Sequence, residues 1–275
     1  MSLREYTIRN QRFLGISSGG VETSMILPTF HLAFDAGRCQ NQLVEIPTVL
    51  LTHGHLDHAS GIPYYVSQRC LRHLPGGTIY CPPELEDPLR RILRIWSEIE
   101  DYQMEFSLQG VDYSTFYPLF GNFSFRAVRS VHRVASNGYT IYERVRKLRK
   151  EYSHLTGPQI AEMKKTMNLF EDVQSPVVTF SGDTQIEFAL ENEDVRRSKI
   201  LFLECTYIDE ARPVERARKW GHTHLFEIIE NAEAFKEVEH LVLIHFSPRY
   251  SKDRILDTLR KQMPEDLYRK TTAFV

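Results

Sequence analysis

Short apolar runs separated by polar turns recur along the whole chain. Runs of strand length, rich in Val, Ile, Leu, Phe and Thr, cover residues 12–17, 22–27, 31–35, 48–52, 78–81, 122–128, 177–181, 200–204 and 241–245. Leu27-Pro28-Thr29-Phe30 reads as a hairpin turn between two of them. Apolar residues at helical spacing predict helices over 61–73, 84–100, 225–236 and 252–262. The early strands look like antiparallel pairs, and the later ones alternate with helices. That mixture predicts an α/β sandwich with sheets inside and helices outside.

With 275 residues the chain can bury a substantial core. No internal repeat and no Gly-, Ser- or Pro-rich linker divides it, so one domain over residues 1–275 is expected. Hydrophobic residues at 42% and charged ones at 25% exclude a disordered chain. The longest apolar runs resemble Leu241-Val242-Leu243-Ile244, far short of the roughly 18 residues of a membrane span. The stretch Met1-Ser2-Leu3-Arg4-Glu5-Tyr6 carries charge where a secretory signal needs an apolar core, so a cytoplasmic protein is expected. Cys39, Cys70, Cys81 and Cys205 are far apart and form no Cys-x-x-Cys pair, which argues against a zinc ribbon or a disulfide framework.

A net charge of −2 does not by itself advertise a nucleic-acid binder. One segment departs from that balance. Between residues 143 and 165, Arg144, Arg146, Lys147, Arg149, Lys150, Lys164 and Lys165 face only Glu143, Glu151 and Glu162, a net of +4. It reads as a basic insert at about 142–170, two short helices separated by Thr156-Gly157-Pro158. Such a segment is either a solvated helical hairpin or an arm that grips phosphates.

The strand Thr48-Val49-Leu50-Leu51-Thr52 runs directly into His53-Gly54-His55-Leu56-Asp57-His58. A lone histidine is usually structural, but three with an aspartate in six positions form a metal-ligand pattern. Other strands end in the same way: 122–128 leads to His132, 177–181 to Asp183, and 241–244 to His245. The carboxyl ends of strands are where α/β sheets place their sites. His53, His55, Asp57, His58, His132, Asp183 and His245 are more ligands than one tetrahedral zinc can use. Two metals fit: His53, His55 and His132 on one, Asp57, His58 and His245 on the other, with Asp183 as the bridge. Two such ions about 4 Å apart can activate a water and clamp both oxygens of a displacement.

His-x-His-x-Asp-His with the later His, Asp and His resembles the metallo-β-lactamase superfamily, which implies a four-layered αββα sandwich. His245-Phe246-Ser247-Pro248-Arg249-Tyr250, Leu203-Glu204-Cys205-Thr206-Tyr207 and Ser181-Gly182-Asp183-Thr184 are similar to segments of ribonuclease Z, the tRNA 3′-processing endonuclease. That resemblance implies a homodimeric phosphodiesterase with two divalent metal ions, zinc above all, cutting RNA precursors on the 3′ side of the tRNA. It further implies that Asp57 takes the proton of the attacking water as well as binding metal. Glu204 and His222 would form the pair that protonates the leaving 3′-oxygen, with His224 as the competitor of His222. Arg249 would contact phosphate, and Arg144, Arg146, Lys147, Arg149 and Lys150 would belong to an RNA-gripping arm.

The chain departs from the family pattern at Leu56, which replaces a glycine, and at His222-Thr223-His224, which replaces His-Ser-Thr. Ile16-Ser17-Ser18-Gly19-Gly20 stands where the family has Pro-x-x-x-Arg-Asn, and the arm is short. The alternative reading is therefore a phosphodiesterase of the same fold acting on a small, cyclic phosphodiester. A non-hydrolytic binding protein has no need of the full ligand set, and a thioester or lactam hydrolase lacks the Arg-Tyr ending.

Overall fold

The computed structural model describes residues 3–275. Met1 and Ser2, the start of the charged N-terminal stretch, lie outside the described residues. One seven-stranded sheet holds β1 (Arg4–Ile8), β2 (Gln11–Ser18), β3 (Glu22–Leu27), β4 (Leu32–Phe34), β5 (Thr48–Leu50), β6 (Gly77–Cys81) and β7 (Phe106–Gly110), in that spatial order. The other holds β8 (Tyr117–Pro118), β9 (Phe123–Arg129), β10 (Asn137–Leu148), β11 (Phe170–Phe180), β12 (Ile200–Glu204), β13 (His240–Ile244) and β14 (Thr271–Ala273). Each sheet is antiparallel over its first four strands and parallel over its last four. The two sheets thus repeat one plan that no sequence repeat betrays.

Parallel neighbours need crossovers, and helices supply them. Ile62–Leu71 joins β5 to β6, and Pro83–Ile99 joins β6 to β7. Leu225–Glu230 lies between β12 and β13, and Lys252–Gln262 between β13 and β14. Strand periodicity then sorts the core into three apolar layers. In β5, Val49 packs outward with Ile62, Tyr65 and Val66, while Leu50 packs inward between the sheets. In β12, Leu201 and Leu203 face the outer helices, while Ile200 and Phe202 face inward. Strands buried on both faces read as unbroken apolar runs, which is why these were legible. Phe34 of β4 stacks on Phe180 of β11 with ring centroids 4.6 Å apart, closing the middle layer. The expected four-layered αββα sandwich is the observed fold. Among the described residues, no helix is long and apolar enough to cross a membrane.

Several expectations are corrected. The helix expected over 225–236 ends at Glu230, and a 3₁₀ turn, Ala232–Phe235, follows. The hairpin turn expected at Leu27-Pro28-Thr29-Phe30 is present between the antiparallel β3 and β4, as a 3₁₀ turn, Pro28–Phe30, closed by His31 in the left-handed conformation. The larger correction concerns the basic segment. Its first half is not helical: β10 continues through Glu143, Arg144, Arg146 and Lys147 to Leu148, paired with β11 down to Phe170. Arg149 follows the strand, Lys150 opens a short 3₁₀ turn, and only Gly157–Met163 is α-helical. β10 keeps its pairing with β9 as far as Glu143, just past a register shift against β11 between Ile141 and Tyr142, and from there only the β10–β11 ribbon continues. After Tyr142 no residue of the strand is fully buried, Arg144, Arg146 and Lys147 are exposed, and the apolar alternation that announces a strand is absent.

Candidate metal centre

The carboxyl ends of β2, β4 and β5 in one sheet meet those of β9, β11, β12 and β13 in the other. His53 forms a bridge with Ser136 across this seam, and the His245 backbone N–H donates to Ser17 Oγ at 3.0 Å. Gly182 is required here. Its φ of +60° is left-handed, and a Cβ on it would stand 2.7 Å from Thr52 Cβ, so only glycine lets Asp183 approach the β5 end.

His53, His55, Asp57 and His58 leave β5 in succession, with His55 preceding the single helical turn Leu56–Ala59. The outer nitrogens of four imidazoles are fixed by fold groups. His58 Nδ1 donates to Asp35 Oδ2 at 2.7 Å, and His132 Nδ1 donates to the Gly221 carbonyl at 2.8 Å. His53 Nδ1 donates to Thr52 Oγ1 at 3.0 Å, and that hydroxyl donates to Asp35 Oδ2 at 2.9 Å. His245 Nδ1 donates to Thr206 Oγ1 at 3.1 Å, which in turn donates to Glu204 Oε2 at 2.7 Å. With the Nδ1 protons turned outward, the Nε2 atoms point inward, where each ring in its neutral form offers a lone pair.

Those lone pairs face one another. His53 Nε2 is 3.1 Å from His55 Nδ1, His132 Nε2 is 3.5 Å from the same atom, and His58 Nε2 is 3.3 Å from His245 Nε2. Neutral rings so placed repel one another unless a proton or a metal cation lies among them. Burial and neighbouring imidazoles hold His53, His55 and His132 below the usual histidine range, which keeps them neutral and able to ligate.

Asp183 lies between the groups, 2% exposed. Its Oδ2 is 3.7 Å from His53 Nε2, and its Oδ1 is 3.3 Å from both His58 Nε2 and His245 Nε2. Neither approach to Oδ1 has hydrogen-bond geometry, so a buried carboxylate oxygen is left without a partner. Burial would raise its pKa, but His245 and His58 hold it well below the usual carboxylate range. The candidate ligand atoms of His53, His55, His132 and Asp183 lie within 4.8 Å of one another, as do those of Asp57, His58 and His245. An unpartnered anionic oxygen amid convergent imidazole lone pairs fits divalent metal ions.

The Glu204 carboxylate is fully buried and held on both oxygens, Oε1 by the Thr184 N–H at 3.0 Å and Oε2 by Thr206. His222 Nδ1 donates to Oε1 at 2.8 Å. Burial works against the charged ring, but the Glu204 carboxylate prevails and raises the His222 pKa to about 9. Of His222 and His224, it is His222 that meets Glu204. His224 is buried away from Glu204, where its ring accepts from the Phe226 N–H at 3.0 Å and caps the helix Leu225–Glu230. Arg249 is exposed and lines a cleft of about 330 Å³ with His222, His245, Thr206, Tyr207, Trp220 and Pro248. The adjacent Tyr250 is structural, donating to Asp209 Oδ1 at 3.1 Å.

The sequence reading passed over Asp35, Thr52, Thr206, Tyr207 and Trp220. Asp35 carried a usable signal, a carboxylate ending an apolar strand as Asp183 does. Arg144, Arg146 and Lys147 lie on the ribbon, and Arg149 and Lys150 just beyond its first strand, at the end of β10 opposite to these strand ends.

A sandwich of two such sheets with imidazoles and carboxylates converging at its strand ends defines a metallo-β-lactamase-type hydrolase fold. Residues 28–246 match the family model of the beta-lactamase superfamily domain. The chain is 36% identical to chloroplastic tRNase Z TRZ2 of Arabidopsis thaliana over 250 residues, covering 90% of this chain and 70% of that protein. It is 32% identical to tRNase Z TRZ1 of Arabidopsis thaliana over 253 residues, 91% of this chain and 90% of that protein. The chain belongs to the tRNase Z family of the beta-lactamase superfamily. The human short-form tRNase Z structure shares the fold, with a TM-score of 0.61 at 18% identity over 95% of this chain and 94% of that one.

His224→Ala removes a helix cap, so it should lower unfolding free energy by about 0.5–2 kcal/mol. A lowered melting temperature with metal content retained is the expected result; unchanged stability would mean that the ring does not cap.

Proposed function

We propose that this chain is a metal-dependent endoribonuclease that cuts tRNA precursors on the 3′ side of the tRNA. The observation that carries the chemistry is Asp183, each of whose oxygens faces a different imidazole cluster. Relatives named tRNase Z support the substrate. His53, His55 and His132 would hold one zinc ion, Asp57, His58 and His245 a second, and Asp183 would bridge them. Bound there, the cations supply Lewis acidity that favours ionisation of water and neutralises charge on phosphate oxygens.

The protein's own groups do the rest. Asp57 Oδ2 lies 3.6 Å from both His58 Nε2 and His245 Nε2 and accepts the proton of the attacking water. His222, kept charged by Glu204, donates a proton to the leaving 3′-oxygen. Arg249 holds a phosphate oxygen at the cleft rim, where its planar fork suits the oxygens. Arg144, Arg146 and Lys147 on the ribbon, with Arg149 and Lys150 just after its first strand, grip RNA phosphates away from the reacting atoms. A homodimer is part of the proposal. The helix Pro83–Ile99 leaves Ile92, Ile95, Trp96 and Ile99 exposed on one face, the kind of surface a second copy covers. Sedimentation equilibrium giving a single-chain mass at micromolar protein would exclude it.

The direct test is cleavage of a 3′-extended tRNA with its products mapped. Glu204→Gln and His222→Ala should retain metal yet slow RNA cleavage by about 10²–10⁴-fold. Bis(p-nitrophenyl) phosphate should suffer less, because nitrophenolate leaves without a proton. Equal losses on both substrates would show that the pair holds structure instead.

Reversing Arg144, Arg146 and Lys147 should weaken RNA binding and shrink the log–log salt slope by roughly 0.7–0.9 for each phosphate no longer neutralised. Measured on a tRNA precursor at several salt concentrations, indistinguishable slopes would remove the ribbon from the RNA interface.

A further inference from the structure

The cleft beside His222 carries two aromatic rings that the hydrolytic chemistry does not use. Trp220 lines it and is 43% exposed. Arg133 stacks over the ring with its guanidinium 4.6 Å from the centroid. Tyr207 lines the same cleft and meets His222 edge to face, with centroids 6.4 Å apart.

The mounting of Trp220 is rigid. It ends the helix Val214–Trp220, and the next residue, Gly221, turns back with φ +75°. The Gly221 carbonyl is the group that fixes His132, and a Cβ at Gly221 would stand 2.7 Å from His132 Nδ1. Arg133 directly follows His132. Both members of the Arg133–Trp220 stack are therefore anchored to the metal-centre framework by neighbouring residues. A flat, exposed ring held in register with the reacting centre, with a cation over it, is the chemistry that receives an unpaired nucleobase.

We infer that Trp220, backed by Arg133 and flanked by Tyr207, is a nucleobase-stacking subsite. Its occupant follows from polarity, and in this the inference rests on the proposed function. His222 serves the leaving 3′-oxygen, and that oxygen belongs to the nucleotide on the 5′ side of the scissile phosphate. Trp220 lies two residues from His222 in the same cleft, so it receives the base of that nucleotide, the last one retained by the product. Stacking is tolerant of base identity, so the subsite positions the chain end and reads little sequence.

The chain has only Trp96 and Trp220, so fluorescence can report on the subsite. Trp96 lies on the helix Pro83–Ile99. A single-stranded oligoribonucleotide should quench the emission of Trp96→Phe, in which Trp220 remains, and leave that of Trp220→Phe little changed. In parallel, a 3′-extended tRNA is cleaved with either a normal or an abasic nucleotide just before the cut. The unmodified protein should prefer the normal substrate by about 10- to 100-fold, mainly in KM. Trp220→Ala should lose most of that preference, and Trp220→Tyr should restore it. Equal quenching in the two single-tryptophan proteins, or a preference that survives in Trp220→Ala, would overturn the inference. Failure of the unmodified protein to cleave any RNA would instead overturn the proposed function, while the fluorescence result would still decide the subsite.

Discussion

A buried carboxylate with one unpartnered oxygen, Asp183, is the constraint around which the site is arranged. An isolated ionised carboxylate is far too costly to bury without compensation. Here the compensation comes from imidazoles delivered by both sheets: His53 and His58 after β5, His245 after β13. In their neutral form those rings bring lone pairs into mutual repulsion, and divalent cations held among them would relieve the repulsion and neutralise the carboxylate together. Gly182 and the left-handed backbone at Asp35 and His245, with φ of 58° and 60°, are local costs of this convergence. They persist because the middle apolar layer holds the two sheets in place.

The repeated sheet plan extends to the polar framework. Asp35 supports His53 through the Thr52 hydroxyl and binds His58 directly; Glu204 supports His245 through the Thr206 hydroxyl and binds His222 directly. The two carboxylate–threonine–imidazole units differ in access. The His58 side chain is 1% exposed, whereas that of His222 is 16% exposed and lines the cleft. On the proposed roles, the sealed unit holds a metal ligand. The open one presents a charged imidazole to substrate. A single polar arrangement thus serves ligation or proton donation according to what can reach it.

Much of this was legible because the central strands are buried on both faces. Val49-Leu50-Leu51 and Leu241-Val242-Leu243-Ile244 announce themselves as apolar runs, and the residues ending them are placed by continuity of the strand. The same logic reached His132, Asp183 and His245 separately. It stopped at residues whose function is to orient others, since Thr52 and Thr206 look like any strand-end threonine until their partners are brought near. The ribbon was misread as helical because a two-stranded extension with both faces in solvent has no apolar periodicity, and Arg144, Arg146 and Lys147 then resemble a solvated helix face. Edge strands such as β1 and β7, half exposed and short, were missed for a related reason.

On the proposed ligation Asp183 joins two metal sites into one centre, and metal stoichiometry decides whether it does. Elemental analysis of the metal-replete protein should find two divalent ions per chain. Asp183→Ala should lose both together, because the substitution removes an anionic ligand shared by the two clusters. At most one ion in the unmodified protein, or two ions retained by Asp183→Ala, would contradict the account.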